Sequence, residues 1–188
     1  MTDDGVLVRR CLAGDEAALR LFVERFQGPV FGLCCRMLRH RQDAEDTSQE
    51  VFLRAFRGLS CWQPGRPLKP WLMMIAANRC RTAIRRRMSR PSAAALLDDP
   101  PSGPPWDAST DLGEELERAL GRLREDHRQC FVLFHQGELS CARIGRIMGH
   151  PAGTIKTWLH RARRELADQL QRRGIVHGVR HEMHDVRT

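Results

Sequence analysis

The sequence predicts an all-α protein of two small helical domains joined by a flexible, Pro-rich linker, the second domain carrying a helix-turn-helix. Apolar residues recur at three- and four-residue spacings along most of the chain, and no segment alternates as a strand does. Prolines cluster between two such blocks and exclude a helix there. The 188 residues suffice for one domain or two small ones. We expect domains at 1–90 and 111–173, a linker at 91–110 and a tail at 174–188.

The first block contains signals for four helices. Asp15 is a candidate N-cap for the first, whose apolar positions follow at helical spacing. Pro29 suits the first turn of a second helix. A third helix is predicted from about Asp43 to Gly58. A fourth is predicted to start near Trp71, after a loop rich in Pro and Gly, and to end in three arginines at 85–87.

The second block begins at Asp111, which forms a capping box with Glu114. Apolar stripes predict one helix through residues 116–123 and another through 131–134, the latter closed by Gly137. A pair of helices with a glycine turn between them follows. Gly149 stands where the first of the pair must stop, a position that favours positive φ.

The second helix of this pair has one apolar and one basic face. Ile155, Leu159 and Leu166 lie on the apolar side. A helix-turn-helix places the opposite face in the major groove of DNA. The candidate DNA-binding residues of this motif are Thr154, Lys156, Thr157, His160, Arg161 and Arg164. The alternative is an ordinary solvated basic face, which is common in proteins.

The third predicted helix carries acidic residues on one side. Asp43, Asp46 and Glu50 follow each other at spacings of three and four, so they share a face and repel one another slightly. On a chain of formal net charge +8, such a stripe suggests a docking surface for a basic partner. Solvated surface charge is the alternative.

The loop and helix that follow carry basic and aromatic residues. Asn78, Arg81 and Arg85 share a helical face that can track phosphates, and asparagine can bond base edges. The loop before this helix offers three further groups suited to an unstacked base or a single strand, namely Trp62, Arg66 and Lys69.

Four groups of motifs, in this order along the chain, resemble the extracytoplasmic-function (ECF) group of bacterial sigma factors. The first is Gly-Asp-Glu-Ala-Ala at 14–18. The second is Asp-Ala-Glu-Asp at 43–46 with Gln-Glu-Val-Phe-Leu-Arg-Ala at 49–55. The third is Trp-Leu at 71–72, Ile-Ala at 75–76 and Asn-Arg at 78–79. The fourth is Gly-Thr-Ile-Lys-Thr at 153–157 with Leu-His-Arg-Ala-Arg at 159–163. The resemblance covers nearly the whole chain.

The resemblance implies a role for each block. The first block would be the region-two domain, docking on the clamp helices of core RNA polymerase through Asp43, Asp46, Gln49, Glu50 and Arg54. Its loop and fourth helix would open the minus-ten promoter element and hold a flipped base. The second block would be the region-four domain, reading the minus-thirty-five element, and the acidic linker would lie in the polymerase's RNA channel. The implied partners are core RNA polymerase, promoter DNA and, as for many relatives, an anti-sigma factor.

The chain departs from the family pattern at two places in its second block. Leu-Arg-Glu at 123–125 stands where the family usually has Leu-Pro-Glu, and Arg-Ile-Gly at 143–145 where it usually has Glu-Ile-Ala. The second change removes a capping partner for Ser140. It also places Gly145 inside a helix, at a cost of about 1 kcal/mol relative to alanine. We therefore expect a less stable domain or altered promoter contacts.

Composition and residue spacing also argue against several other classes of protein, namely enzymes, zinc-ribbon proteins and membrane-spanning proteins. The sequence shows no pairing of a nucleophile with a general base, so we do not expect an enzyme. We also expect no cofactor site. Seven scattered cysteines without a Cys-x-x-Cys pair argue against a zinc ribbon and, with no secretory signal, favour a reducing cytoplasm. The adjacent Cys34 and Cys35 are interpreted as core residues, with a redox switch as the alternative. No apolar run is long enough for a membrane span.

Two other functions and one additional metal site are the alternatives to this interpretation. A transcriptional regulator could bind duplex DNA by the helix-turn-helix alone, but it would need neither the acidic helix nor the basic loop. A nuclease would need an acidic metal cluster, which the sequence lacks. His181 and His184 in the tail could share a metal, but a solvated tail is the preferred interpretation, so no metal site is expected.

Overall fold

A computed structural model describes residues 3–89 and 111–174, and within these two ranges it contains helices and no strand. This confirms the all-α prediction for the described residues. The first domain comprises α1 (Asp3–Leu12), α2 (Glu16–Leu38), α3 (Arg41–Gly58), a short 3-10 helix (Leu59–Cys61) and α4 (Leu68–Ser89). The second comprises α5 (Asp111–Arg122), α6 (Glu125–His135), α7 (Cys141–Met148) and α8 (Ala152–Arg172). The predicted linker and the histidine-bearing tail lie outside the described residues, except Gly174 at the start of the tail. None of the described helices has the length and apolarity to cross a membrane.

The α2 helix is longer than predicted. Asp15 caps it as expected, its carboxylate accepting from the backbone N–H groups of Ala17 and Ala18. The prediction that a second helix begins at Pro29 is wrong, because α2 continues through that residue to Leu38. An interior proline costs about 3 kcal/mol. The buried side chains on either side of it, Phe26 and Val30, form one continuous packed face that outweighs this cost.

A local cap sets the start of α3, and a contact distant in sequence sets the start of α4. The α3 helix begins at Arg41, ahead of the predicted start, because His40 caps it by accepting from the Asp43 N–H at 3.3 Å. The α4 helix begins at Leu68 rather than near Trp71. The Leu68 N–H donates to the Asp4 carboxylate of α1 at 3.0 Å, a cap that no local pattern reveals.

The first domain packs α2, α3 and α4 around a core of aromatic and aliphatic side chains. Phe22 is fully buried at its centre, with ring centroids 5.1 Å from Phe26 and 5.3 Å from Phe56. Cys34 and Cys80 are also fully buried, with their sulfur atoms 3.6 Å apart. Their mutual contact and burial raise the pKa of the Cys34 thiol well above its usual range, so it packs as a small apolar side chain.

The second domain is organised around α8, which packs on α5, α6 and α7. The stripe predicted on α5 is buried against Ala162 and Leu166 of α8. The α7–α8 pair forms the predicted helix-turn-helix. Ser140 caps α7 by accepting from the Arg143 N–H at 3.4 Å. Gly149 ends α7 with φ 78°, which confirms the left-handed conformation expected there.

The two domains pack against each other, a contact that the sequence did not predict. The α2 helix lies on α6 and α4 lies on α7. A single apolar core continues from the first domain into the second, where it includes Cys130, Leu133 and Met148. The surfaces of the two domains are therefore not independent of each other.

Candidate functional site

The outer face of α8 is exposed as predicted. Ile155, Leu159 and Ala162 anchor its inner face in the core. Five of the predicted DNA-binding side chains are exposed on the other face, namely Lys156, Thr157, His160, Arg161 and Arg164, and Thr154 is half-buried at its start. This face is polar and positively charged, which is what contact with the edges of bases and with phosphates requires.

The turn before α8 is held tightly to α7. The N–H groups of Gly149 and His150 both donate to the Gly145 carbonyl oxygen, at 2.8 and 2.9 Å. The chain passes so close that a Cβ atom on Gly145 would lie 2.5 Å from the His150 carbonyl oxygen. The expectation that Gly145 only weakens this helix is therefore incomplete, because the close approach of the turn requires a glycine there.

An aromatic contact joins the same turn to α8. The His150 ring stands edge-on to the Trp158 ring with centroids 4.7 Å apart, and the His127 ring of α6 lies 6.3 Å from Trp158. His127 is buried, and neither of its ring nitrogens has a hydrogen-bond partner among the described residues. Burial lowers the pKa of His127, the neighbouring Glu165 opposing this shift. Trp158 thus links the position of α8 to α6.

The predicted basic face of α4 is divided by the contact between domains. Asn78 and Arg85 are exposed. Arg81 is half-buried and points into the second domain, where its Nη1 donates to Gln129 Oε1 at 3.0 Å and its Nη2 to the Met148 carbonyl oxygen at 3.4 Å. The three residues therefore do not form one open surface in this structure.

The loop before α4 also differs from its prediction. Arg66 is exposed, whereas Lys69 lies in the first turn of α4 and donates to Glu138 of the second domain at 2.6 Å. Trp62 is only 5% exposed and belongs to the core of the first domain. We correct its assignment as a stacking residue, since a buried indole leaves no face for a base.

The acidic side of α3 is open to solvent. Asp46, Gln49, Glu50 and Arg54 are exposed and Asp43 is half-buried. Glu50 also forms an ion pair with Arg79 of α4, whose side chain is 13% exposed. Arg79 was not among the residues predicted to have a role, although it belongs to the Asn-Arg motif at 78–79 that resembles the family. This ion pair connects the acidic face of α3 to α4, the helix that carries Asn78.

Fold and surfaces together define a two-domain helical protein with a helix-turn-helix whose outer face is basic and with a separate acidic face on α3. Comparison with known proteins agrees. Residues 22–90 match the Sigma-70 region 2 family, and residues 113–166 match the Sigma-70, region 4 family.

Individual relatives span most of the chain. The ECF RNA polymerase sigma factor SigW of Bacillus subtilis (strain 168) is 31% identical over 181 residues, covering 87% of this chain and 95% of that protein. The RNA polymerase sigma factor CarQ of Myxococcus xanthus is 33% identical over 159 residues, covering 84% of this chain and 91% of that protein. The chain belongs to the ECF RNA polymerase sigma factors.

A solved structure supports the fold. The sigma factor RpoE in complex with the anti-sigma factor NepR, from Bartonella quintana, aligns with a TM-score of 0.64 at 24% identity. The alignment covers 81% of this chain and 96% of that chain.

Proposed function

We propose that this sigma factor binds core RNA polymerase through the acidic face of α3 and directs it to promoters read by α4 and α8. The observation that carries the proposal is the separation of charge on one chain. A basic protein of net charge +8 exposes an acidic stripe at Asp46 and Glu50, while its basic residues crowd the outer face of α8. Opposite charges on two surfaces suit two partners of opposite sign.

The two DNA-contacting surfaces have different tasks in this proposal. The exposed side chains of α8 read the upstream element of a duplex promoter in the major groove. Asn78 and Arg85 of α4, with Arg66 of the loop before it, hold the strand that is opened at the downstream element. Lys69 and Arg81 join them when they are not engaged by the second domain. We ascribe no catalytic step to the chain, since the polymerase performs the chemistry.

The proposed partners indicate the cellular compartment in which the protein acts. Core RNA polymerase and promoter DNA are bacterial cytoplasmic components, and we place the protein there with them. An anti-sigma factor is a further expected partner, because the structurally similar RpoE of Bartonella quintana forms a complex with the anti-sigma factor NepR.

The docking half of the proposal is tested by charge reversal on α3. Asp46→Lys combined with Gln49→Lys changes two exposed residues and leaves the Glu50–Arg79 ion pair in place. We expect this variant to fold normally and to lose co-purification with core polymerase, because it places positive charge opposite a basic partner.

The matched control carries the same charge change on α2. Glu24→Lys with Gln27→Lys alters two exposed residues at the same three-residue spacing. It should assemble with core polymerase as the wild type does. Equal assembly of the α3 variant and the wild type would refute docking through this face.

A further inference from the structure

Both ends of the loop that carries Arg66 are held by α1. The 3-10 helix before the loop packs against α1, and Leu68 after the loop donates its N–H to the Asp4 carboxylate of α1. Helix α1 is itself fixed in the core of the first domain by three buried side chains, Leu7, Val8 and Cys11. The position of the loop therefore depends on a contact that spans 64 residues of sequence.

The Asp4 contact supplies a cap that α4 lacks locally. Pro67, the residue before α4, has no side-chain acceptor for the free N–H groups of the first helical turn. Asp4 Oδ2 accepts from the Leu68 N–H at 3.0 Å and places a negative charge at the positive end of the helix dipole. Loss of this carboxylate would leave the Leu68 N–H without its partner and would loosen the junction between the loop and α4.

An ion pair with α2 holds the Asp4 side chain in place. Asp4 Oδ1 lies 3.0 Å from Arg25 Nη2, and the Asp4 side chain is only 18% exposed. The Arg25 guanidinium also lies over the Phe26 ring, 5.2 Å from the ring centroid. One carboxylate oxygen of Asp4 is thus bound to α2 while the other caps α4.

The loop itself, residues 63–67, is exposed and contains a closed turn. The Arg66 N–H donates to the Gln63 carbonyl oxygen at 3.2 Å, and Gly65 has a φ of 86° with Pro64 before it. This combination is typical of a type II turn. The turn fixes the shape of the loop, whereas its orientation on the domain depends on the buried residues at its two ends, Trp62 and Leu68.

We propose that Asp4 is a positioning residue for the capture of the opened promoter strand. It acts through the cap on Leu68, which orients the loop that carries Arg66, and it makes no contact with DNA itself. The inference rests on the proposed function of Arg66. Without the cap the loop would occupy the binding orientation only part of the time, so the apparent affinity for the opened strand would fall by that fraction.

Asp4→Ala removes the cap, and Asp3→Ala is its matched control. Asp3 lies beside Asp4 in the first turn of α1 and also contacts Arg25, at 3.4 Å. It is 95% exposed, and among the described residues its carboxylate binds none of α4. Both substitutions remove one negative charge, so any general gain in attraction to DNA is the same in the two variants.

The variants are compared as holoenzymes assembled from core polymerase and the full chain. Binding is measured to a fragment that carries a pre-melted minus-ten bubble and, separately, to a duplex fragment that carries the upstream element alone. The usual energetic value of a side-chain cap corresponds to about a fivefold change in an equilibrium constant. The Asp4→Ala holoenzyme should therefore bind the bubble about fivefold more weakly than the Asp3→Ala holoenzyme, with equal affinities for the duplex fragment.

Three further measurements separate positioning from a general loss of stability. Asp4→Asn keeps an oxygen that can accept from the Leu68 N–H and should recover most of the lost affinity. Hydrogen–deuterium exchange of the full chain should show faster exchange of the Leu68 amide in Asp4→Ala than in Asp3→Ala. In an Arg66→Ala background, Asp4→Ala should weaken bubble binding by a smaller factor, because the two residues act on one contact.

Equal bubble affinities of the Asp3→Ala and Asp4→Ala holoenzymes would overturn the proposal. An equal loss of affinity for both DNA fragments, or a loss of polymerase assembly, would overturn it as well, because a general loss of folding predicts either result. Full additivity with Arg66→Ala would overturn action through the loop. If Arg66→Ala alone leaves bubble binding unchanged, the proposed function of the loop fails and the inference fails with it, while exchange of the Leu68 amide still reports whether the cap forms.

Discussion

Replacement of Gly145 by alanine should destabilise the helix-turn-helix, although helix propensity alone predicts the reverse. Gly145 lies inside α7, where alanine is favoured over glycine by about 1 kcal/mol. The added methyl group would meet the His150 carbonyl oxygen at 2.5 Å and the Ala152 nitrogen at 3.5 Å. The first distance is shorter than any ordinary contact, so the turn must shift.

The turn has little freedom to shift. His150 donates its N–H to Gly145 at 2.9 Å and packs its ring on Trp158. Overpacking of a well-packed site costs about 1–3 kcal/mol. After the gain in propensity of about 1 kcal/mol is subtracted, the net loss is about 0–2 kcal/mol, with a central value of about 1 kcal/mol.

Urea denaturation of the full chain, followed by Trp fluorescence and by circular dichroism, measures this loss. The matched control is Gly153→Ala in α8, where an added Cβ meets nothing within 4 Å. The control should be neutral or slightly stabilising. A Gly145→Ala variant that is more stable than the wild type by about 1 kcal/mol would refute the argument from close approach.

Three further predictions concern the two domains. Arg161→Ala should weaken or relax recognition of the upstream element by about 1–3 kcal/mol at one base step if its contact is bidentate, and selection from a randomised element measures this. Burial lowers the pKa of His127 below 6.5 in the folded protein. The unfolded chain therefore binds a proton at this residue more readily than the folded chain does. The second domain should therefore lose stability as pH falls through 6.5 towards the folded-state pKa, and a His127→Phe variant should lose less over the same window. Arg66→Ala with Asn78→Ala should still assemble with core polymerase but open duplex promoters poorly. A pre-melted bubble should restore much of that activity, and permanganate reactivity reports the opening; a variant that opens duplex DNA normally would contradict this role.

Local chemistry predicted much of the fold. Asp15 and Gly149 are helix boundaries because a carboxylate cap and a left-handed glycine act within a few residues of chain. The apolar stripe of α8 is buried as its spacing requires. Where the prediction failed at Pro29, packing of the whole first domain outweighed the local preference of one residue.

The candidate site was predictable only where one helix sets it. The exposed faces of α3 and α8 follow from helical periodicity. Trp62 could not be placed from sequence, since its burial depends on helices that meet only in the folded chain. The engagement of Lys69 by Glu138, 69 residues away, likewise has no signature in either local sequence.

Run-off transcription with purified core polymerase on genomic templates tests the central claim most directly. The account predicts transcripts with discrete start sites when core polymerase and this chain are combined. Core polymerase alone, or combined with the Asp46→Lys and Gln49→Lys variant, should yield none of them. A chain that binds duplex DNA by itself yet adds no specific start site to core polymerase would contradict the account and favour a regulator that acts through its helix-turn-helix alone.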